Sequence, residues 1–296
     1  MSEPTTEVSK NPRVTLKVLR AMASSGSKIA VLTCYDALTA QLLWRGGVRV
    51  LLVGDSAAMV LLGHESSLPV ELDFLVTLTS AVRRGAPDAF VMGDMPFGSY
   101  QCGDDEAMRA AVKLLKAGAD AVKLEVGESD LPLIKRMADA GVPVVAHIGW
   151  RPQQAKLAGV RTAVVAGKTR DEVAALVKLA QAMEKAGAVM LLIEQCTQEV
   201  SAAVVKAVSI PVIGCGAGPA CHGHVVVLQD LLGMTDRHPS FVKPVAQLGQ
   251  AITDAAGAWA RLVESGQYLA SDHPYQMNKG TKSTARRGTR TDRAQR

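Results

Sequence analysis

One pattern recurs along this chain and constrains it more than any other feature. An amphipathic stretch ends in glycine, and a short, continuously apolar run follows. It is present as RGGVRVLLVGD (45–55), RGAPDAFVMGD (84–94), KAGADAVKLEV (116–126), DAGVPVVAHIG (139–149) and KAGAVMLLIEQ (185–195). Glycine just past a helix takes the left-handed conformation that other residues avoid. A strand that is apolar at every position, rather than at every second one, is covered on both faces, as in a parallel sheet. Helix, glycine and buried strand in repetition is the grammar of a β/α protein. Adding KIAVLTC (28–34), IPVIGCG (210–216) and VVVLQ (225–229) gives eight candidate strands. Helices are predicted over 37–45, 71–84, 105–116, 130–140, 170–186 and 199–208, where apolar residues recur at three- and four-residue spacing. A last helix is predicted over 245–265, and only the seventh connection, AGPACHGH, is too short for one. This rhythm predicts a single (β/α)8 TIM barrel in preference to a doubly wound sheet.

Composition supports one large core. Hydrophobic residues make up 48 % of the 296 and charged residues 21 %, so disorder on compositional grounds is excluded for the body. Aromatics are only 4 %, which leaves Val, Leu, Ala, Ile and Met to fill the interior. The net charge of +5 is misleading as a whole-chain number. Residues 278–296 hold seven Lys/Arg and one Asp, a net +6, so the rest is near −1. The basic character belongs to a tail without apolar periodicity, expected to be disordered, and gives no sign of a nucleic-acid-binding domain. The expected organisation is an N-terminal arm over 1–13, a catalytic barrel over 14–277 and the basic tail over 278–296. The five cysteines are odd in number and form no CxxC pair, which fits a reducing compartment. The first residues lack the apolar region of a signal peptide, and no apolar run approaches the ~20 residues of a membrane span. The expectation is a soluble cytoplasmic protein with no nucleic-acid or membrane partner.

Barrels of this kind carry their chemistry at the carboxyl ends of the strands. There the chain presents Tyr35-Asp36, Gly54-Asp55-Ser56, Asp94, Lys123 with Glu125, His147, Glu194, and Gly214-Cys215-Gly216. Ionisable groups are rarely left inside apolar strands unless paired or metal-bound. Lys123 and Glu125 alternate with Val122, Leu124 and Val126, which sets both charges on one face of a strand. Asp55, Asp94 and Glu125 come from adjacent strands, and three converging carboxylates call for a cation. Oxygen ligation selects a hard metal such as Mg²⁺, with Lys123 offsetting charge and receiving an anionic substrate. The competing reading is a Lys–carboxylate network that only holds the barrel together. Glu194, after the apolar run Met190–Ile193, is a candidate general base with a raised pKa; alternatively it opens the next helix, where the dipole favours a carboxylate. His147 is a candidate substrate contact or a hydrogen-bonded core group. The segment from Cys215 to His224 has zinc-type ligands but no zinc-type spacing.

These residues lie in motifs that resemble a known family. VGDSAAMVLLGHESSLPVELD, RRGAP, GDMPFGSY, KAGADAVKLEVGE, PVVAHIG, AGAVMLLIEQ, SIPVIGCGAG and ARLVESGQYLASDHPYQM are similar to ketopantoate hydroxymethyltransferase, also called 3-methyl-2-oxobutanoate hydroxymethyltransferase, from about Val14 to Met277. The resemblance implies a barrel of the phosphoenolpyruvate mutase/isocitrate lyase type, and pantothenate biosynthesis in the cytoplasm. It implies Mg²⁺, 5,10-methylenetetrahydrofolate as one-carbon donor, 3-methyl-2-oxobutanoate as acceptor, and a homo-oligomer, a decamer in the family. It implies that Asp55, Asp94 and Glu125 hold the metal, that Asp55, Ser56, Asp94 and Lys123 bind the oxo acid, and that Glu194 accepts the proton. The sixteen residues from Glu194 to Ile210 match the family spacing.

The chain also departs from that pattern. Ala57-Ala58 follows VGDS where the family has Leu-Gly, and Trp150-Arg151-Pro152-Gln153 replaces Leu-Thr-Pro-Gln. The segment through Gly167, and Pro219-Ala220-Cys221-His222, also differ from the family. Two alternatives therefore stand beside the hydroxymethyltransferase: a folate-independent enzyme that makes or breaks a carbon–carbon bond in another 2-oxo acid, and a non-catalytic paralogue.

Overall fold

The computed structural model describes residues 13–157, 159, 163–269 and 275. The first twelve residues and the basic tail over 278–296 lie outside the described residues. Eight parallel strands pair in chain order, and the eighth pairs back to the first to close a barrel. They are β1 Ile29–Thr33, β2 Val50–Val53, β3 Phe90–Asp94, β4 Ala121–Glu125, β5 Val144–Gly149, β6 Met190–Glu194, β7 Val212–Cys215 and β8 Gly223–Val226. The helices are α1 Leu16–Ser25, α2 Ala37–Arg45, α3 Ala57–Val60, α4 Leu72–Gly85, α5 Asp104–Ala117, α6 Leu131–Asp139, α7 Arg170–Ala186, α8 Gln198–Ala207, α9 Leu228–Leu231 and α10 Leu248–Glu264.

The predicted (β/α)8 architecture is the observed one. Helices α2, α4, α5, α6, α7 and α8 match their predicted spans to within a residue at each end. Gly118 and Gly187 close α5 and α7 at φ 115 and 106, as the recurring glycine implied. The eighth strand differs from expectation. It begins at Gly223, ahead of the apolar run 225–229, and stops at Val226, while the buried Leu228 starts α9. A buried first helical turn and a buried strand end are equally apolar, so composition could not separate them.

Two apolar layers hold the barrel. The outer one lies between strands and helices and includes Leu51, Val53, Val91, Val122, Leu124, Ala146, Leu191, Ile193 and Val212. The inner one fills the barrel with the alternate residues, among them Ile29, Val31, Val50, Leu52, Phe90, Met92, Val145, Met190, Leu192 and Ile213. Val14 and Leu19 join this inner layer, with Leu16 and Met22 packed beside it. Helix α1, which the strand–helix pattern did not predict, therefore plugs the amino end of the barrel.

The chain divides into two compact units, Met1–Leu248 and Gly249–Arg296, and the barrel belongs to the first. In the second, Trp259 meets Tyr268 edge-on with ring centroids 4.3 Å apart. No residue of α10 is buried. Among the described residues, no helix is long and apolar enough to cross a membrane.

Candidate active site

Strand register brings the charged groups together. Asp94 on β3 is the register partner of Lys123 on β4, Glu125 on β4 that of His147 on β5, and Glu194 on β6 that of Cys215 on β7. Residues in register on parallel strands face the same side. Val122 and Leu124 lie in the outer layer, so Lys123 and Glu125 turn inward, as their alternation predicted. The inner residues are apolar toward the amino end and ionisable toward the carboxyl end. The result is a cavity of about 690 Å³ at the carboxyl ends, lined by Asp55, Ser56, Asp94, Lys123, Glu125, His147 and Glu194 together with Trp150 and Cys215.

Asp94 is the anchor of this wall. Lys123 Nζ donates to its Oδ1 at 2.6 Å, and the Asp55 backbone N–H donates to its Oδ2 at 3.0 Å. Ser56 Oγ lies 2.8 Å from Tyr35 Oη. Burial lifts the Asp94 carboxyl to about 7, against the pull of Lys123. Burial likewise lifts Glu125 to about 9 and Glu194 to about 8, with Lys123 again opposing and Asp55 adding to the rise. Burial also works against the charge on Lys123, but Asp94, Asp55 and Glu125 outweigh it and hold the ammonium above its ordinary range.

Among the described residues, no well-formed hydrogen bond reaches either ring nitrogen of His147, although it is 1 % exposed. Its Nδ1 is 3.8 Å from Glu125 Oε1 and its Nε2 is 3.4 Å from Glu194 Oε2. Burial, then the charge of Lys123, holds the imidazole well below its ordinary pKa, hence neutral. A neutral imidazole in a cavity wall is a ready contact for a ligand.

Two residues of the site, Gln153 and Tyr100, were not singled out from sequence as functional groups, and Tyr35, noted at the end of β1, joins them. Gln153 bridges Glu125 and Asp55, Tyr100 Oη donates to Gln153 Oε1 at 2.7 Å, and the Tyr35 hydroxyl meets Ser56. Tyr100 ends the motif GDMPFGSY, while Gln153 lies in the segment that departs from the family pattern, and neither is ionisable at neutral pH, so charge alone does not mark them. Asp36, grouped with the strand ends in sequence, serves a helix instead: it caps α2, accepting from Thr39 N at 2.8 Å. The segment Cys215–His224 runs from the carboxyl end of β7 to the amino end of β8, and among the described residues it forms no group of three or more metal-ligating side chains. His222 Nδ1 accepts there from Val212 N at 3.0 Å.

The donor set suits a hard dication in one respect and limits it in another. Asp55, Asp94 and Glu125 offer only carboxylate oxygen, and burial first, then the neighbouring carboxylates, raises Asp94 and Glu125 despite Lys123, a cost that a bound cation would relieve. Among the described residues, no group of three or more His, Cys, Asp or Glu side chains is drawn close enough to cage a metal. Mg²⁺ does not need such a cage, because it keeps waters and takes substrate oxygens beside one or two carboxylates. The residues fit the ion on those terms.

A closed parallel barrel with this acidic mouth makes the chain a (β/α)8 barrel with its polar site at the carboxyl ends of the strands. Phosphonopyruvate hydrolase, solved in complex with oxalate and Mg++, superposes with a TM-score of 0.58 at 18 % identity, covering 88 % of this chain and 90 % of that one. 2,3-Dimethylmalate lyase, a PEP mutase/isocitrate lyase superfamily member, gives 0.56 at 18 %, over 86 % and 89 %. Identities this low show the fold alone. The ketopantoate hydroxymethyltransferase family model matches residues 13–271. The 3-methyl-2-oxobutanoate hydroxymethyltransferase of Thermobifida fusca (strain YX) is 41 % identical over 269 residues, 90 % of this chain and 95 % of the relative. That of Anaeromyxobacter sp. (strain Fw109-5) is 44 % identical over 269 residues, 89 % of this chain and 88 % of the relative. The chain belongs to the ketopantoate hydroxymethyltransferase family.

Proposed function

We propose that this chain transfers a hydroxymethyl group from 5,10-methylenetetrahydrofolate to 3-methyl-2-oxobutanoate, forming 2-dehydropantoate for pantothenate biosynthesis. The observation that carries the reading is the single cavity that gathers Asp55, Ser56, Asp94, Lys123, Glu125, His147 and Glu194 in a chain of this family. Asp55, Asp94 and Glu125 would hold Mg²⁺, which supplies Lewis-acid polarisation of the keto oxygen when bound. Lys123, charged and pinned by Asp94, attracts the carboxylate of the oxo acid, and Ser56 and His147 supply polar contacts in the same wall. Glu194 takes the C3 proton, and its desolvated carboxylate is a stronger base than one in water. The carbon freed of its proton then bonds to the one-carbon unit, whose two bonds to the folate nitrogens are broken, with water supplying the hydroxyl oxygen and tetrahydrofolate leaving. Lys123 meets the negative charge that develops on the oxo acid, in a site already organised for it.

The same reading makes the protein a cytoplasmic homo-oligomer, and the exposed Ile252, Leu262 and Val263 of α10 support assembly with further copies. The test is deuterium exchange at C3 of 3-methyl-2-oxobutanoate, with product analysis, run with and without Mg²⁺ and the folate. Magnesium-dependent exchange together with folate-dependent 2-dehydropantoate is expected. Exchange without that product moves the assignment to a folate-independent enzyme acting on a 2-oxo acid, a reading favoured by the altered segment after β5. Neither exchange nor product from metal-loaded, folded protein rejects both.

A further inference from the structure

We propose that Gln153 is a positioning residue that decides which oxygens of Asp55 and Glu125 face a divalent cation. The inference rests on the reading of the acidic cavity as a dication site. Gln153 sits in the 3-10 turn Pro152–Gln154 that follows β5, and it is buried. Its backbone N–H donates to Glu125 Oε2 at 2.9 Å. Its side-chain Nε2 donates to Asp55 Oδ2 at 3.0 Å and to the Met95 carbonyl at 3.1 Å. Its Oε1 accepts from Tyr100 Oη at 2.7 Å, a hydroxyl that also lies 3.2 Å from the Glu125 carbonyl.

This amide has one workable orientation. Turned over, Oε1 would confront a carboxylate and a carbonyl, both acceptors, and the Nε2 hydrogens would meet the Tyr100 hydroxyl that now donates. One residue thus grips a carboxylate from the end of β2 and another from β4, strands that are not neighbours in the barrel. Both gripped oxygens, Asp55 Oδ2 and Glu125 Oε2, receive neutral N–H donors, which orient a carboxylate without cancelling its charge. Among the described residues, no hydrogen bond reaches Asp55 Oδ1 or Glu125 Oε1. Asp94 is different: Lys123 engages one of its oxygens and the Asp55 N–H the other. The oxygens left uncommitted are therefore one on Asp55 and one on Glu125, and Gln153 selects both. Removing such outer hydrogen-bond partners typically weakens metal binding about 10–100-fold.

The experiment uses the full chain and Mn²⁺ as the probe, read by isothermal titration calorimetry and by melting temperature with Mn²⁺ or EDTA. Gln153→Met keeps the backbone donor and much of the side-chain volume, and removes the amide. The expected result is a Kd for Mn²⁺ raised about 10–100-fold, with a smaller Mn²⁺-induced rise in Tm. Tyr100→Phe releases the amide without removing it and is expected to weaken Mn²⁺ binding in the same direction by less. A Gln153→Met protein that melts lower but binds Mn²⁺ like the wild type overturns the proposal, because that is what a purely structural glutamine does. If Gln153→Met does not fold, Tyr100→Phe decides, and an unchanged Kd there also overturns it. A wild-type chain that binds no Mn²⁺ sinks the dication reading and the proposal with it.

Discussion

Glu194 shows how one side chain acquires a working pKa. It ends β6 in register with Cys215 and faces His147, and burial lifts its carboxyl to about 8. A base acts only when ionised, so the ionised fraction grows as pH rises toward that value. The dependence of kcat/KM on pH is expected to show an acidic limb centred near 8, with activity falling as pH drops below it. Glu194→Gln is expected to lower kcat about 10²–10⁴-fold and to abolish that limb, while leaving Mn²⁺ affinity intact. A pH profile of the variant with the limb unchanged assigns the proton transfer to another group. The sequence identified Glu194, but two environments were open to it there. Register and burial decide between them, since α8 begins only at Gln198 and Glu194 stays on the cavity wall.

Among the elements, α1 does the least for chemistry and much for the barrel. Thr15 caps it by accepting from Val18 N at 3.4 Å, and Leu19 is fully buried in the inner layer with Ile29, Val50 and Phe90. Those partners are the first or second inward residues of their strands, so α1 seals the end of the barrel opposite the acidic mouth. Leu19→Ala opens a cavity that this close-packed floor cannot readily collapse. The expected loss is about 2–5 kcal/mol in chemical denaturation, with Mn²⁺ affinity of the folded protein unchanged. A loss under 1 kcal/mol, roughly the scale of an exposed site, would show that α1 does not belong to the barrel core. Its amphipathic pattern is short and precedes the first strand, which is why the repeating grammar did not flag it.

For the molecule as a whole, closure is the decisive event, because an open sheet would leave no single mouth for the site. The seam is β8 against β1, with Gly223 opposite Ile29 and His224 opposite Ala30. A Cβ at Gly223 would lie 2.2 Å from the Ile29 carbonyl oxygen and 2.7 Å from the Ile29 Cβ. Backbone on the other side of the seam cannot yield as a flexible side chain does. Gly223→Ala is expected to cost about 1–3 kcal/mol or more, the range of overpacked cores, and to lower Tm with Mn²⁺ present and absent alike. Wild-type stability in that variant would mean that the seam tolerates a wider spacing.

The sequence alone determined the repeating strand–helix order, the barrel class and the charged groups at the strand ends. These are local matters: a doubly covered strand must be apolar throughout, glycine suits the left-handed turn that ends α1, α5 and α7, and a charge inside an apolar strand stands out by its cost. Tertiary structure decided what depends on distance between segments remote in the chain. Only the folded barrel sets Gln153 between Asp55 and Glu125, buries His147 between Glu125 and Glu194, starts β8 at Gly223 and sends Leu19 into the barrel floor. Hydrogen bonds and packing across a closed ring follow register and loop path, and neither is written in the composition or spacing of any one segment.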